Sequence, residues 1–357
     1  MQVKPLLAEQ LRLTLSEYVT AIAWSPTGNC LVAATGRGEI QYIQDFTPEQ
    51  LQAPTEQSID AIAFSADGRW LAAGGQAGCI TLWKLPLQPL IGPAHTLDCG
   101  STWIEQISWH PIHRYLTFPQ GKTLRIWDAE QAEIGREIEL TERPQTMQWS
   151  PAGDVLAIAF KTNVQIWQPL QSAEPLFQWE LTATPFTLNW SIDGNYLACS
   201  IYDRSVGILH WSKLRHANLE APDPQDLPVQ IRGFPGKARA LAWADIPDSD
   251  TSPMLAVATR EVVAMWLFVP EEGWQNWVLD LHSELVLDIA FQPKTGRLAS
   301  LSDDGWLILW QLAIEAEQIL EEAAEGFSCL AWHPSGQWLA AGGQQGELLI
   351  WSLAPTT

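Results

Sequence analysis

The chain has few basic residues, few cysteines and only short apolar runs. The shortage of basic residues bears on which classes of partner the protein can bind. Its 20 Lys and Arg stand against 41 Asp and Glu, which gives a formal net charge of −21 over 357 residues. Such a field repels phosphate backbones and anionic lipid headgroups, so we expect neither nucleic acid nor membrane as a main partner. The acidity is explained either by solubility alone or by a specific basic partner.

Cysteines are few, odd in number and free of any CxxC pair, which is not a disulfide framework and is typical of a reducing cytosol. Glu9 and Gln10 interrupt the apolar stretch near the start, so no signal peptide is expected there. The longest apolar run, Val262 to Val269, is too short to span a bilayer. We therefore expect a soluble cytoplasmic protein. The five cysteines are Cys30, Cys79, Cys99, Cys199 and Cys329.

An aromatic residue that ends a short apolar stretch recurs eight times, at spacings of 40 to 53 residues. Two units are nearly superimposable, since Trp70 to Trp83 is WLAAGGQAGCITLW and Trp338 to Trp351 is WLAAGGQQGELLIW. A period of this length with several short strands predicts a β-propeller with one blade per unit. The eight aromatics are Trp24, Phe64, Trp109, Trp149, Trp190, Trp243, Phe291 and Trp332.

The repeat predicts an all-β, closed propeller of eight four-stranded antiparallel blades, with seven blades as the alternative. From Trp24 to Trp332 the seven steps cover 308 residues, or 44 per step, and eight such steps give 352 of the 357 residues. Residues 1–357 are therefore expected to form one domain, with a Pro-rich insertion at 212–236 and a longer turn at 244–253. Loose surface loops are the simplest interpretation of both irregularities.

The unit resembles the WD repeat in the turn that follows each first strand. Trp24 to Gly28 reads WSPTG, Trp149 to Gly153 reads WSPAG, and Trp332 to Gly336 reads WHPSG. Trp127-Asp128 keeps the Trp-Asp pair at the end of a third strand, whereas other repeats keep the Trp alone. The resemblance covers essentially the whole chain. It implies a non-enzymatic platform for protein partners.

Ring closure is predicted at the two ends of the chain. The chain ends directly after a third strand, Glu347 to Leu353, which leaves the last blade without an outer strand. Leu11, Leu13 and Leu15 alternate as a half-buried strand does. We expect residues near 6 to 16 to pair with the last blade and so satisfy its exposed edge. Such closure is similar to that of WD-repeat propellers.

His282, Ser302 and Asp304 have the residue types of a hydrolase triad, but no nucleophile elbow or oxyanion-hole motif accompanies them. Together with Trp310 they resemble the hydrogen-bonded His-Ser-Asp-Trp tetrad of WD repeats. The resemblance implies a structural role. The other seven repeats lack a His at this position, so the packing of Trp side chains must contribute more there.

The residues His95, Cys99, His110 and His113 have a spacing that suggests zinc ligands, but the repeat places Cys99 before a first strand and His110 at its end. A strand of about six residues separates them by about 20 Å, too far for one zinc. No P-loop, Rossmann fingerprint or HExxH motif occurs. We expect no catalytic residue, no metal and no cofactor.

The favoured function is a scaffold or adaptor for proteins; the alternative is a propeller with a small-molecule or metal site in its central channel. First strands carry mostly Ala, Ile, Leu and Trp, which favours the scaffold. Loops between second and third strands are enriched in basic residues, and aromatics flank them at strand ends. Because Arg beside aromatics is typical of binding hot spots, we expect an acidic or mixed-charge protein partner on this face. The predicted contact residues are Arg37, Trp103, Phe118, Lys122, Phe160, Lys161, Phe186, Tyr202, Arg204 and Arg260.

Overall fold

Eight four-stranded antiparallel sheets follow one another around a closed ring in the computed structural model of this chain. The structure describes residues 6–86, 92–216, 227–246 and 253–354. Seven sheets contain four consecutive strands each, and the eighth joins strands from both ends of the chain. The prediction of eight blades is confirmed, and the seven-blade alternative is wrong.

Each blade is numbered from the first strand of its repeat. Strand β1 (Leu7–Thr14) comes first in the chain, and blade 1 contains β2 (Val19–Trp24), β3 (Cys30–Thr35), β4 (Ile40–Gln44) and β5 (Thr47–Gln52). Blade 2 contains β6 (Ile59–Phe64), β7 (Trp70–Gly75), β8 (Cys79–Lys84) and β9 (His95–Asp98). Blade 3 contains β10 (Ser108–Trp109), β11 (Tyr115–Gln120), β12 (Thr123–Asp128) and β13 (Glu133–Glu139). Blade 4 contains β14 (Thr146–Trp149), β15 (Leu156–Ala159), β16 (Asn163–Trp167) and β17 (Pro175–Glu180).

The second half of the ring continues in the same order. Blade 5 contains β18 (Pro185–Trp190), β19 (Tyr196–Ile201) and β20 (Ser205–His210), then helix α1 (Trp211–Leu214) and β21 (Val229–Ile231). Blade 6 contains β22 (Ala238–Trp243), β23 (Met254–Thr259), β24 (Val262–Val269) and β25 (Gly273–Leu279). Blade 7 contains β26 (Val286–Phe291), β27 (Leu298–Ser302), β28 (Trp306–Gln311) and β29 (Glu315–Glu321). Blade 8 contains β30 (Phe327–Trp332), β31 (Trp338–Gly343) and β32 (Glu347–Leu353), completed by β1.

The core lies between blades, because each second and third strand is covered on both faces by its neighbours. Every residue of β3 and of β15 is buried, so these strands are apolar throughout instead of alternating. Outer strands do alternate: in β13 the burial changes from one residue to the next. One core cluster joins Met265 of blade 6 to Ile308 of blade 7. The apolar sequence of the repeats is therefore used for stacking blades.

Ring closure follows the prediction from the leucines near the start. Strand β1 runs antiparallel to β32, with Leu7 opposite Leu353 and Thr14 opposite Glu347. Backbone bonds extend the pairing on both sides, since Leu15 N donates to Gly346 O at 2.8 Å and Ala354 N donates to Leu6 O at 2.7 Å. The third strand of blade 8 thus has no free edge.

Tryptophans at the ends of several first strands tie their blade to the one before it. In blades 3, 5, 6 and 8 the indole Nε1 donates to the backbone carbonyl of the residue before the equivalent aromatic of the preceding blade, at 2.9 to 3.2 Å. A buried indole N–H needs such an acceptor, and the repeat supplies one in these blades. The pairs are Trp109 with Ala63, Trp190 with Gln148, Trp243 with Asn189 and Trp332 with Ala290.

The two insertions are only partly within the described ranges. Residues 212–236 contain most of α1 and all of β21, whereas 217–226 lie outside the described residues. The longer turn predicted at 244–253 has 247–252 outside them. Helix α1 has four residues, and no helix in the described ranges has the length and hydropathy to cross a bilayer.

Candidate functional site

The exposed aromatic side chains all lie on one face of the ring. We call the upper face the one that carries the connections between second and third strands and those that precede first strands; the lower face carries the others. Among the described residues, the exposed aromatics are Tyr18, Trp103, Phe186 and Tyr202, each 40 to 45% exposed and each on the upper face. The large hydrophobics exposed in lower-face connections are aliphatic, such as Ile112 and Ile192. The two faces therefore differ in chemistry.

Two of these aromatics lie near the carboxylate of Asp60, which is on the first strand of blade 2. The indole Nε1 of Trp103 donates to Asp60 Oδ2 at 2.6 Å, and Ser58 Oγ donates to the same oxygen at 2.7 Å. The ring of Tyr18 lies on Gly36, where an added Cβ would be 2.2 Å from it. Burial, with the nearby carboxylate of Asp60, raises the pKa of Tyr18. The Trp103 ring is thus held by a hydrogen bond although it is partly exposed.

The other two exposed aromatics form a pair in blade 5 with a cation beside it. The rings of Phe186 and Tyr202 meet edge to face with centroids 5.6 Å apart. Lys237 Nζ, from the connection into blade 6, lies 4.2 Å from the Tyr202 ring centroid, within the range of a cation–π interaction. Aromatic and cationic side chains are thus preassembled at the junction of blades 5 and 6.

Arg204 occupies a backbone position that other blades give to glycine. Its φ is 66°, and its N–H donates to Ile201 O at 3.2 Å to close the turn. The same position of the repeat is Gly38, Gly78, Gly305 and Gly346 in four other blades, with φ of 82°, 68°, 78° and 86°. A side chain in the left-handed region costs about 1 kcal/mol. The strain is retained although a glycine would remove it.

Arg260 repeats this arrangement in blade 6. It is the first of two residues connecting β23 to β24 and has a φ of 47°, where hairpins favour glycine. Its stem covers Gly236, where an added Cβ would be 2.6 Å from Arg260 Cγ. Two neighbouring blades therefore each place an arginine at a strained position on the upper face.

Positive charge on the upper face is concentrated in blades 4 to 6. Arg37 is paired with Glu56, and Lys122 Nζ donates to Thr141 O at 3.0 Å, so both predicted contacts are already engaged. Within the described ranges no ion pair engages Lys161, Arg204, Lys237 or Arg260. We call this set, with the aromatic pair, the upper basic surface: Lys161, Phe186, Tyr202, Arg204, Lys237 and Arg260.

The carboxylate next to Arg204 is held by other groups. Asp203 accepts hydrogen bonds from Thr182 Oγ1 at 2.6 Å and from Ser205. Burial alone would raise the pKa of Asp203, but these hydrogen bonds outweigh it and lower the pKa. Asp203 therefore stays ionised and organises the turn that presents Arg204.

Two predicted contact residues are wrong. Phe118 and Phe160 have no exposed surface. Phe118 lies within β11 and packs in the core between blades 2 and 3, while Phe160 belongs to the core between blades 3 and 4. Their position near a strand end predicted exposure, but their side chains point between the blades. Trp103, Phe186 and Tyr202 are exposed, as predicted.

The predicted tetrad forms with one different member. His282 Nδ1 lies 3.1 Å from Asp304 Oδ2, its Nε2 lies 2.8 Å from Ser300 Oγ, and Trp310 Nε1 donates to Ser300 Oγ at 2.8 Å. The prediction of Ser302 is therefore wrong, since its hydroxyl instead accepts from the backbone N–H of Asp304 at 3.2 Å. Burial lowers the pKa of His282 despite the opposing carboxylate. The four groups are a buried structural chain.

First strands carry two carboxylates that the sequence interpretation missed. Asp60 is engaged by Trp103, as described, and Asp288 Oδ2 accepts the backbone N–H of Leu330 at 3.0 Å, from the next blade. Burial raises the pKa of Asp288 to about 6. Both carboxylates thus already have partners that position backbone or side chains. A signal was available, because Asp288 interrupts the otherwise apolar strand β26.

The histidines of the zinc-like spacing have separate surroundings. His110 and His113 have ring centroids 4.8 Å apart, whereas His95 packs between Trp70 and Trp127. His110 Nε2 lies 2.9 Å from Gly153 O in the next blade, a bond between blades. Within the described ranges no three acidic, His or Cys side chains come together as a metal site.

The comparison with protein families matches the repeats at both ends of the chain. The family described as WD domain, G-beta repeat, matches residues 9–40, 48–84, 273–311 and 317–352. Each match begins in the outer strand of the preceding blade and continues through the first strands of blade 1, 2, 7 or 8. Together, the matched repeats and the eight-bladed ring support a WD-repeat propeller family. The repeats of blades 3 to 6 depart most from the family pattern, and they include the upper basic surface.

A more distant likeness extends over part of the chain. Protein transport protein sec13 of Emericella nidulans is 22% identical over 180 residues, which are 42% of this chain and 58% of that relative. The chain thus spans little more than half the length of this relative. Both comparisons support a protein-interaction scaffold.

Proposed function

We propose that this WD-repeat propeller is a non-enzymatic scaffold that binds protein partners in a soluble cytoplasmic complex, with the upper basic surface as its main contact. One observation carries the proposal: Arg204 and Arg260 occupy strained positions that favour glycine, beside the exposed pair of Phe186 and Tyr202. Strained backbone clusters at functional sites, and Arg with aromatics is enriched in binding hot spots.

The partner is expected to present an acidic segment. The chain as a whole carries −21, so a region of unpaired cations on blades 4 to 6 attracts acidic groups that the rest of the molecule repels. Arg204 and Arg260 can each bind a carboxylate through two parallel hydrogen bonds. The aromatic pair supplies apolar area next to them at little entropic cost.

The likeness of part of the chain to a protein transport protein supports a role of this scaffold in protein transport. The alternative, a ligand site in the central channel, has less support. The first-strand carboxylates of Asp60 and Asp288 already accept hydrogen bonds from Trp103 and from the backbone of Leu330.

The proposal is tested by replacing each strained arginine with glycine, which its backbone conformation favours. The variant Arg204→Gly/Arg260→Gly removes two charges while relieving strain, so we expect an unchanged or higher melting temperature. Partners captured by the parent protein from its native cell, quantified by mass spectrometry, should be lost. Lys294→Gly is the matched control, since Lys294 is exposed, has a φ of 61° and lies on the lower face. Equal capture by all three proteins would contradict the proposal.

A further inference from the structure

A strained aromatic turn lies on the lower face where the last and first blades meet. Asp45 and Phe46 connect β4 to β5 with φ of 50° and 58°, so both central residues of the hairpin are left-handed. Such turns favour Asn or Asp followed by Gly. A phenylalanine in the second position has a backbone cost that glycine would avoid. The preference of the turn does not explain a phenylalanine at this position, whereas a role of its ring does.

The ring of Phe46 forms one wall of a cavity of about 300 Å³. Trp24, His333 and Trp338 supply further rings, and buried Ile43 and Ile350 complete the apolar lining. Phe46 meets Trp338 edge to face at 5.6 Å between centroids, and Trp24 stacks on Trp338 at 6.2 Å. Trp24, Phe46 and Trp338 are only partly buried, so ring surface remains accessible from the cavity.

The imidazole of His333 is fixed by two structural bonds. Its Nε2 lies 2.9 Å from Gly28 O, which can only accept, and its Nδ1 accepts the backbone N–H of Ser335 at 3.0 Å. Ser335 Oγ also lies 2.7 Å from Nδ1. His333 therefore contributes a ring of fixed orientation to the cavity. At the mouth of the cavity is the exposed carboxylate of Asp45, which forms no ion pair within the described part of the chain.

The junction of blades 3 and 4 offers an internal comparison. There His110 and Trp149, which are equivalent to His333 and Trp24, line a cavity of about 160 Å³ together with His113 and Asp154. Asp154 is 3.8 Å from the guanidinium of Arg215, so its charge is already matched. The junction of blades 8 and 1 is larger, has a fourth ring and leaves its carboxylate unmatched.

We propose that this cavity receives a cationic side chain, a guanidinium or alkylammonium group, from a basic segment of a protein partner. Ring faces attract a cation electrostatically, and Asp45 adds an opposite charge at the entrance. A cavity of about 300 Å³ is at the small end of ligand sites and suits one side chain. The net charge of −21 favours the approach of a basic segment. This site is on the face opposite the upper basic surface and takes the opposite charge, so it goes beyond the function proposed above.

The test uses the full chain labelled with ¹⁵N at tryptophan and follows the indole signals of Trp24 and Trp338 by NMR. The probes are the Nα-acetyl N-methylamides of arginine, lysine and trimethyllysine, with the neutral citrulline analogue as control. At least one cation should shift both signals saturably, with a Kd on the order of 10 mM, and citrulline should not. No saturable shift with any cation, or equal shifts with citrulline, would overturn the proposal.

Two variants identify the groups responsible. Phe46→Gly removes the ring and relieves the turn, and Asp45→Asn removes the charge at an exposed position; each should weaken cation binding by about fivefold or more. Asp154→Asn, at the junction of blades 3 and 4, is the matched control and should bind as the parent does. Unchanged affinity in both Phe46→Gly and Asp45→Asn would place the cation elsewhere and overturn the assignment. Failure here leaves the test with Arg204→Gly/Arg260→Gly unaffected, because that variant alters the other face.

Discussion

The indole Nε1 of Trp24 donates a hydrogen bond to the carbonyl of Ala331, 3.2 Å away and 307 residues later in the chain. The same bond links other neighbouring blades, so the ends of the chain meet through a contact that the repeat already uses. The pairing of β1 with β32 closes the outer part of blade 8, whereas Trp24 joins the inner strands of blades 8 and 1. Two contacts thus close the ring, one between its outer strands and one between its inner strands.

Replacing Trp24 by Phe should lower the free energy of unfolding by about 1 to 2 kcal/mol through loss of this bond and some buried area. The ring shape is compatible, because Phe64 and Phe291 occupy the equivalent position in blades 2 and 7. Denaturant unfolding measures the change. The reciprocal variant Phe64→Trp places a donor toward the carbonyl of Ala23 and should not lose stability in the same way. A Trp24→Phe protein as stable as the parent would show that the bond contributes nothing.

Deleting residues 1–16 should unfold or aggregate the protein. The deletion exposes the edge of β32 from Glu347 to Leu353, which β1 now covers along its length. Size-exclusion chromatography and thermal melting measure the outcome, with deletion of residues 1–5, which lie before β1, as the control. Equal melting temperatures for the full chain and the 1–16 deletion would refute this account of closure.

The fold could be predicted because the residue pattern that specifies each blade repeats along the chain. Trp24 to Trp332 recur with the repeat, and Leu11, Leu13 and Leu15 alternate, so blade number and closure follow from spacing alone. Ser300 and Ser302 are two residues apart on β27 and share a side of the strand, so alternation could not choose between them. Only the three-dimensional distance to His282 decides.

The candidate site was predictable in part. The position of each cation in the repeat places it on the upper face. The ion pair between Arg37 and Glu56 could not be predicted, because the repeat does not say how close their two loops are. The strain at Arg204 was readable, since the repeat has Gly38 and Gly305 at the same place. Phe118 was misplaced because the end of a strand does not fix the direction of a side chain relative to the neighbouring blade.

Substitution of Ser300 by Ala should cost about 1 to 3 kcal/mol, and His282→Ala a similar amount, because each leaves buried polar groups without partners. Ser300 serves both His282 and Trp310, whereas Ser302 serves one backbone N–H. Ser302→Ala is therefore the matched control and should cost less. Chemical denaturation measures all three. A stable His282→Ala protein that had lost an activity would revive the hydrolase interpretation.

Stability should fall as pH rises from about 4 to about 6, through Asp288. Burial raises the pKa of its carboxyl from 3.8 to about 6, so in this window the folded protein retains a proton that the unfolded chain has released. Relative to Asp288→Asn, which does not titrate, the parent should lose about 2 kcal/mol over the window. Unfolding of both proteins by urea at several pH values measures the difference. A difference that stays constant with pH would contradict the assignment.

Reversing the unpaired cations of the upper face should abolish partner capture. Lys161→Glu, Arg204→Glu and Arg260→Glu, combined, change six units of charge on blades 4 to 6, and the melting temperature should change little because all three side chains are exposed. Arg37→Glu serves as the comparison: its cation is already matched by Glu56, so we expect a smaller effect on capture. Binding of the partner to the parent should also weaken with added salt, as steering between opposite charges does. Unchanged capture by the triple variant would exclude the upper basic surface. The partner would then be sought on the lower face or at the 212–236 insertion.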